Sequence, residues 1–229
     1  MREKSVKLEG VSVRYRDTSV LRDVSLQVER GEMLSIIGSS GSGKTTLAKV
    51  MCGVVKPDSG QCFTGLTWMV KQLGETSQST PYKISEIVSL GSRNRSSFIT
   101  RAERREAERL LDELGLGGLY NRRIYELSGG QQQRTYIAQA LMSEAETLIL
   151  DEPTSGADAG VTLEMMEVLR KVATEGTAIV IATHDIERVA MKTDRAVALR
   201  DGGVFYDGLP CGLDEDLIKH VYASQRDAR

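Results

Sequence analysis

Eight consecutive residues constrain this chain more than any others: Gly38-Ser39-Ser40-Gly41-Ser42-Gly43-Lys44-Thr45. Before them runs Met33-Leu34-Ser35-Ile36-Ile37, a mostly apolar stretch suited to a strand covered on both faces. After them a helix is expected from Thr45 to Cys52, ended by Gly53. Glycines let a backbone wrap closely around an anion, and the amides of the loop and helix N-terminus then face it. The spacing matches G-x-x-x-x-G-K-[ST] in the strand-loop-helix setting that this motif requires. Gly38, Ser39, Ser40, Gly41, Ser42, Gly43, Lys44, Thr45 and Thr46 are therefore the expected phosphate cradle of a nucleotide. Lys44 would reach the β- and γ-phosphates, and the Thr45 hydroxyl would ligate Mg²⁺.

The rest of the chain supplies a setting for that loop. Val6 to Glu9 and Val11 to Tyr15 alternate as two short strands with one wet face, and Leu21 to Val28 follows less regularly. Leu66 to Val70, Thr147 to Leu150, Ala178 to Ala182, Ala196 to Leu199 and Val204 to Tyr206 read as further strands. Helices are expected over Ile84 to Leu90, Thr100 to Leu114, Ser128 to Met142, Val161 to Thr174 and Ile186 to Lys192, with Thr100 and Glu103 as a capping pair. Strands alternating with helices imply an α/β fold with a mostly parallel sheet. The antiparallel strands come first, and the helical middle is inserted into the sheet. The expected division is a core of 1–72 and 136–229 around a helical subdomain of 73–135, all within one 229-residue domain.

Composition excludes several classes. A formal net charge of −2 does not suit a nucleic-acid binder, and the arginines Arg101, Arg104, Arg105 and Arg109 are interleaved with Glu103, Glu106 and Glu108 as on a solvated, ion-paired helix. Arg93 and Arg95 lie outside that pairing and are expected to face a partner. The three cysteines, Cys52, Cys62 and Cys211, form no C-x-x-C pair and suit a reduced compartment. Met1 to Gly10 is charged and alternating, unlike a secretory leader, and no apolar run approaches the roughly 20 residues that span a bilayer. Any work at a membrane is then expected to go through a partner.

Two further motifs complete a nucleotide site. Leu148-Ile149-Leu150-Asp151-Glu152 is an apolar strand ending in carboxylates, and strand C-termini are where such sheets bind ligands. Asp151 is expected to hold Mg²⁺ and Glu152 to polarise the attacking water. Leu127-Ser128-Gly129-Gly130-Gln131-Gln132-Gln133-Arg134 opens a second helix with a hydroxyl and free amides, another anion-binding terminus.

The stretch from Leu127 to Arg134 closely resembles the signature of the ABC ATPases, and the resemblance runs along essentially the whole chain. It implies a P-loop NTPase core with an N-terminal antiparallel β subdomain and an inserted α-helical subdomain. It also implies roles for single residues: Tyr15 stacking on adenine, Gln72 sensing the γ-phosphate side and the metal, and His184 as a switch beside Glu152. Ser155-Gly156-Ala157-Asp158 resembles the loop that crosses between subunits, with Asp158 at its end. Ser128, Gly129, Gly130 and Gln131 would contact ATP bound by a second subunit. The implied cofactors are ATP and Mg²⁺. The implied partners are a second ATPase subunit, a transmembrane permease and an extracytoplasmic substrate-binding protein, at the cytoplasmic face of the membrane. A non-transport ATPase acting on ribosomes or DNA is the alternative within the family. The stretches Ile84 to Arg93 and Arg122 to Ser128 are similar to importers of metal cations and iron chelates. Two departures stand out: Gln139 replaces a more usual arginine, and the short link from Gly53 to Gln72 predicts that the first sheet lacks a strand or hairpin.

Overall fold

The computed structural model describes residues 3–71, 81–92, 99–154 and 157–223. Gln72, Arg93, Arg95, Ser155 and Gly156 lie outside the described residues. Strand β1 (Lys4–Tyr15) pairs antiparallel with β2 (Thr18–Glu29) and with β4 (Ser59–Thr64) in a three-stranded sheet. The two short strands expected at the start are thus one. They are joined through Gly10, which takes a φ of 60° where the register with β2 slips between Leu8 and Val11. The expected missing strand is present as β4. Its residues are mostly exposed and polar, so pairing with β1 rather than burial defines it.

The second sheet runs β5-β6-β7-β3-β8-β9. Its strands β3 (Met33–Ile37), β5 (Thr67–Val70), β6 (Thr147–Asp151), β7 (Ala178–Ala182) and β8 (Arg195–Arg200) are parallel, and β9 (Gly203–Gly208) returns antiparallel at one edge. Every residue of β3, β6 and β7 is buried. Successive side chains feed opposite layers: Met33, Ile179 and Ile181 join the helical side, while Leu34, Ile36 and Val180 join the side of the first sheet and α1 (Lys44–Met51). This two-sided burial is why these strands read as continuous apolar runs.

Beyond α1 come α2 (Ile84–Ser89), α3 (Arg101–Glu113), α4 (Gly129–Met142), α5 (Ala159–Thr174) and α6 (Glu215–Tyr222). Thr100 caps α3 as expected: its hydroxyl accepts from the Glu103 amide at 3.2 Å, and the Glu103 carboxylate accepts from the Thr100 amide at 2.7 Å. Arg104 pairs with Glu108 at 3.2 Å and Arg109 with Glu106 at 2.6 Å, so this face is solvated and charge-paired. Met165 and Met166 are buried core side chains. The helix expected over Ile186 to Lys192 is only a 3₁₀ turn at Ala190–Lys192. Among the described residues no helix is long and apolar enough to cross a membrane.

The helical layer is packed most tightly where α2 ends on α4. A Cβ on Gly91 would lie 2.0 Å from the Gln139 carbonyl oxygen, a backbone atom that cannot swing away. Gly91→Ala is expected to lower the unfolding free energy by about 1–3 kcal/mol, the usual cost of overpacking. Urea melts of the two proteins check it; equal midpoints would show that the layer yields freely.

Candidate nucleotide site

The sheet order brings the chemistry together. Strand β7 lies between β3 and β6, so the loop after β3, the carboxylates ending β6 and the histidine after β7 share one edge of the sheet. These are the carboxyl ends of parallel strands, where ligands bind in open α/β sheets.

The loop after β3 is built around glycine conformations. Gly38 takes a φ of 152°, and a Cβ there would lie 2.5 Å from the Leu199 carbonyl oxygen. Gly43, at 107°, is the N-cap of α1 and sits against β2, where a Cβ would lie 2.9 Å from the Val20 carbonyl oxygen. With glycine as N-cap, α1 has no side-chain cap. Thr100, Ser128, Asp158 and Asp214 each cap their own helices through a side chain. The first-turn amides of α1 thus keep their donors and the positive end of its dipole for an anion.

Those amides open on a cavity of about 260 Å³, whose walls include Ser40, Gly41, Gly43, Lys44, Thr45, Thr46, Asp151 and Glu152. The Lys44 ammonium donates to the carbonyls of Gly38, at 2.8 Å, and Ser39, at 3.1 Å. Burial lowers its pKa, against the opposing pull of Glu152 and Asp151. Burial in turn raises the Asp151 carboxyl, an effect offset in part by the Thr45 hydroxyl and reinforced by the Glu152 charge. Two carboxylates therefore face one lysine, and the second Asp151 oxygen, Oδ1, is buried without a hydrogen bond.

That oxygen is a test for Mg²⁺, a hard cation that prefers oxygen and takes one or two carboxylates together with substrate phosphates. Among the described residues no cluster of three or more histidine, cysteine or carboxylate groups could hold a metal by itself. The Thr45 hydroxyl and Asp151 thus fit a metal that arrives with a nucleotide.

Glu152 adopts a φ of 50°, a left-handed conformation costing an L-residue roughly 1–2 kcal/mol. Its amide donates to the Ala182 carbonyl at 2.9 Å, which ties the turn to the end of β7. His184 Nδ1 lies 2.8 Å from Glu152 Oε2, yet Oε2 has no hydrogen bond. The two groups are in contact but out of line, with His184 largely exposed.

Other expected site residues stand apart. Ser128 caps α4: its hydroxyl accepts from the Gln131 amide at 3.4 Å, and the Gln131 side chain accepts from the Ser128 amide at 3.0 Å. Ser128 and Gly129 are exposed, and none of Ser128 to Gln131 is in the cavity wall. Asp158 caps α5, accepting from the Val161 amide at 2.9 Å. Tyr15 ends β1, exposed and outside the cavity wall. The return strand of the same hairpin places Val20 in that wall, a residue that strand alternation alone gave no reason to single out. Gln133, buried on α4, donates to the Lys71 carbonyl at 3.4 Å and so ties the signature helix to the exit of β5.

The sequence profile of the ABC transporter family matches residues 21–155, which hold the phosphate loop, the signature and both β6 carboxylates. The chain belongs to the ABC transporter family. It is similar to the aliphatic sulfonates import ATP-binding protein SsuB 1 of Rhodococcus jostii, with 36% identity over 87% of this chain and 81% of that protein. The manganese transport system ATP-binding protein MntB of Listeria monocytogenes is 31% identical over 95% of each. The chain spans only 31% of the macrolide export ATP-binding/permease protein MacB of a Shewanella species, at 37% identity over 82% of this chain. The dimeric structure of MJ0796, a bacterial ABC transporter cassette, superposes with a TM-score of 0.81 and 27% identity, over 90% of this chain and 98% of that one. The chain is an ABC ATPase, with ATP as its nucleotide and Mg²⁺ as the accompanying metal.

Lys44→Ala removes a charged donor from the cradle, one whose hydrogen bonds go to the loop carbonyls of Gly38 and Ser39. ATP affinity is expected to fall about tenfold to a hundredfold, the value of a hydrogen bond to a charged group, with unchanged thermal stability. Equilibrium binding of a fluorescent ATP analogue measures this, and affinity within threefold of the parent would remove Lys44 from the site.

Proposed function

We propose that this ABC ATPase works as a homodimer that sandwiches each ATP between the phosphate loop of one chain and Ser128, Gly129, Gly130 and Gln131 of the other. The observation that carries this reading is the separation within one chain: α1 presents its uncapped terminus to the cavity, while the signature terminus stands exposed and away from it. Similarity to a dimeric cassette supports it. Phosphoryl transfer spreads negative charge over the γ-phosphoryl oxygens, and a second helix dipole aimed at that group would stabilise the transition state.

In this reading Gly38 to Thr46 hold the phosphates and Tyr15 stacks on the adenine. Thr45 and Asp151 hold Mg²⁺, joined by Gln72. Bound with ATP, Mg²⁺ neutralises part of the phosphate charge. Glu152 orients the attacking water and accepts its proton, and His184 steadies the Glu152 carboxylate. Asp158 marks the crossing between subunits.

The dimer energises a separate permease from the cytoplasmic face of the membrane, with the helical subdomain of 73–135 as its dock. Import is the direction, served by an extracytoplasmic substrate-binding protein, and the cargo class is a metal cation or metal chelate. Near end-to-end similarity to a manganese transport ATP-binding protein supports that class. Reconstitution with the permease tests it: stimulation by a sugar or amino acid and by no divalent metal or chelate would reject it.

Two variants separate the parts. Glu152→Gln keeps the shape of the side chain and removes its basicity, so turnover is expected to fall on the order of 10²–10⁴-fold while ATP still binds. Size exclusion should then show an ATP-bound dimer, and near-normal hydrolysis would end the assignment. Gly130 has open space around it in this chain, since a Cβ meets nothing within 4 Å. Gly130→Ala should therefore leave the isolated chain as stable or up to about 1 kcal/mol more so, as alanine favours helix over glycine. Turnover should nonetheless drop, because the new methyl meets the nucleotide of the facing chain. Full activity in that variant would contradict the sandwich.

A further inference from the structure

The His184 side chain is 67% exposed, and its Nδ1 lies 2.8 Å from Glu152 Oε2. A ring so exposed is not held by packing around it. The backbone beneath it must set where it stands.

That backbone leaves the sheet at a defined point. Ala182, the last residue of β7, pairs with Ile36 of β3 on one side and with Asp151 of β6 on the other. Its carbonyl accepts from the Glu152 amide at 2.9 Å, and the next amide, that of Thr183, donates to the Ile36 carbonyl at 3.0 Å. Thr183 is fully buried, with no exposed surface. The chain is therefore fixed up to Thr183. It is fixed again from Asp185 onward. Asp185 Oδ1 accepts from the Arg188 amide at 3.0 Å, its carboxylate pairs with the Arg188 guanidinium at 2.6 Å, and its carbonyl accepts from the Ala190 amide at 3.1 Å.

His184 is the one residue between these two anchored points, and a single side chain spans it. The Thr183 hydroxyl oxygen accepts from the Asp185 amide at 3.0 Å. A threonine hydroxyl that bonds the amide two residues on closes a tight turn around the residue between them. The oxygen is buried with its residue, so water is a poor substitute for it.

We propose that Thr183 is a positioning residue for ATP hydrolysis, its hydroxyl closing the turn that holds His184 against Glu152. Thr183 is outside the cavity wall, so it acts through the histidine and not on the nucleotide. The inference rests on the reading of His184 as the group that steadies the Glu152 carboxylate.

Thr183→Val keeps the branched shape and removes the hydroxyl, and Thr183→Ser keeps the hydroxyl and removes a methyl. The experiment measures kcat, KM for ATP and Tm for the parent, both variants, His184→Ala and the double variant Thr183→Val/His184→Ala. Thr183→Val is expected to lower kcat about threefold to tenfold, the value of one hydrogen bond, with KM within twofold. Thr183→Ser should stay within twofold of the parental kcat, although both variants lower Tm by a few degrees, about 2–4 °C. In the His184→Ala background Thr183→Val should cost nothing more, because a residue that acts through the histidine has no effect without it. With His184→Ala impaired, a parental kcat in Thr183→Val overturns this inference alone. So does a Thr183→Ser defect as large as that of Thr183→Val, or an equal further loss in the double variant. A parental kcat in His184→Ala overturns the reading of His184 and this inference with it.

Discussion

The first turn of α1 has no side-chain cap, and the rest of the site follows from that. A helix terminus leaves amides unsatisfied, and most helices here answer them with Thr, Ser or Asp. Here the N-cap is Gly43, forced into a left-handed conformation against β2. The terminus is then an anion site by default, fixed at the carboxyl end of a fully buried strand. Placing β7 between β3 and β6 sets Asp151, Glu152 and His184 around that terminus without any long-range coordination of loops. Burial works against the charges of Lys44 and Asp151, lowering the pKa of the first and raising that of the second. Such a cluster is poised for a highly charged ligand and its metal.

Half of the expected machinery does not meet the cavity within one chain. Ser128 and Gln131 satisfy each other in a capping box, so the signature terminus is structurally complete while exposed. Asp158 likewise satisfies the start of α5. Both termini are capped within the chain, and in the proposed sandwich it is a facing chain that would bring a nucleotide to them. Gln133 adds a mechanical link, because the hydrogen bond to the Lys71 carbonyl ties the signature helix to the strand exit just before Gln72.

Much of this was legible in the sequence, for physical reasons. Strands β3, β6 and β7 are buried on both faces, and only continuous apolar runs satisfy that. Thr100 with Glu103 spelled out its own cap. Strand β4 was not legible, because its identity comes from pairing with β1 and its side chains are wet. The join of the first two strands through Gly10 was hidden too, since a glycine between alternating runs reads equally well as a break. Within the site, the loop, both carboxylates and the histidine were readable as motifs. Val20 was not, since a valine on a strand gains meaning only when the fold brings it to the phosphate loop.

The most direct measurement is the specific ATPase activity per chain as a function of chain concentration, with saturating ATP and Mg²⁺ and no permease. A site completed across two chains predicts that activity per chain rises in proportion to concentration in the dilute regime, then levels off as dimers saturate. Activity per chain that stays constant down to the lowest measurable concentration would show that one chain hydrolyses ATP alone, and would contradict the two-chain site.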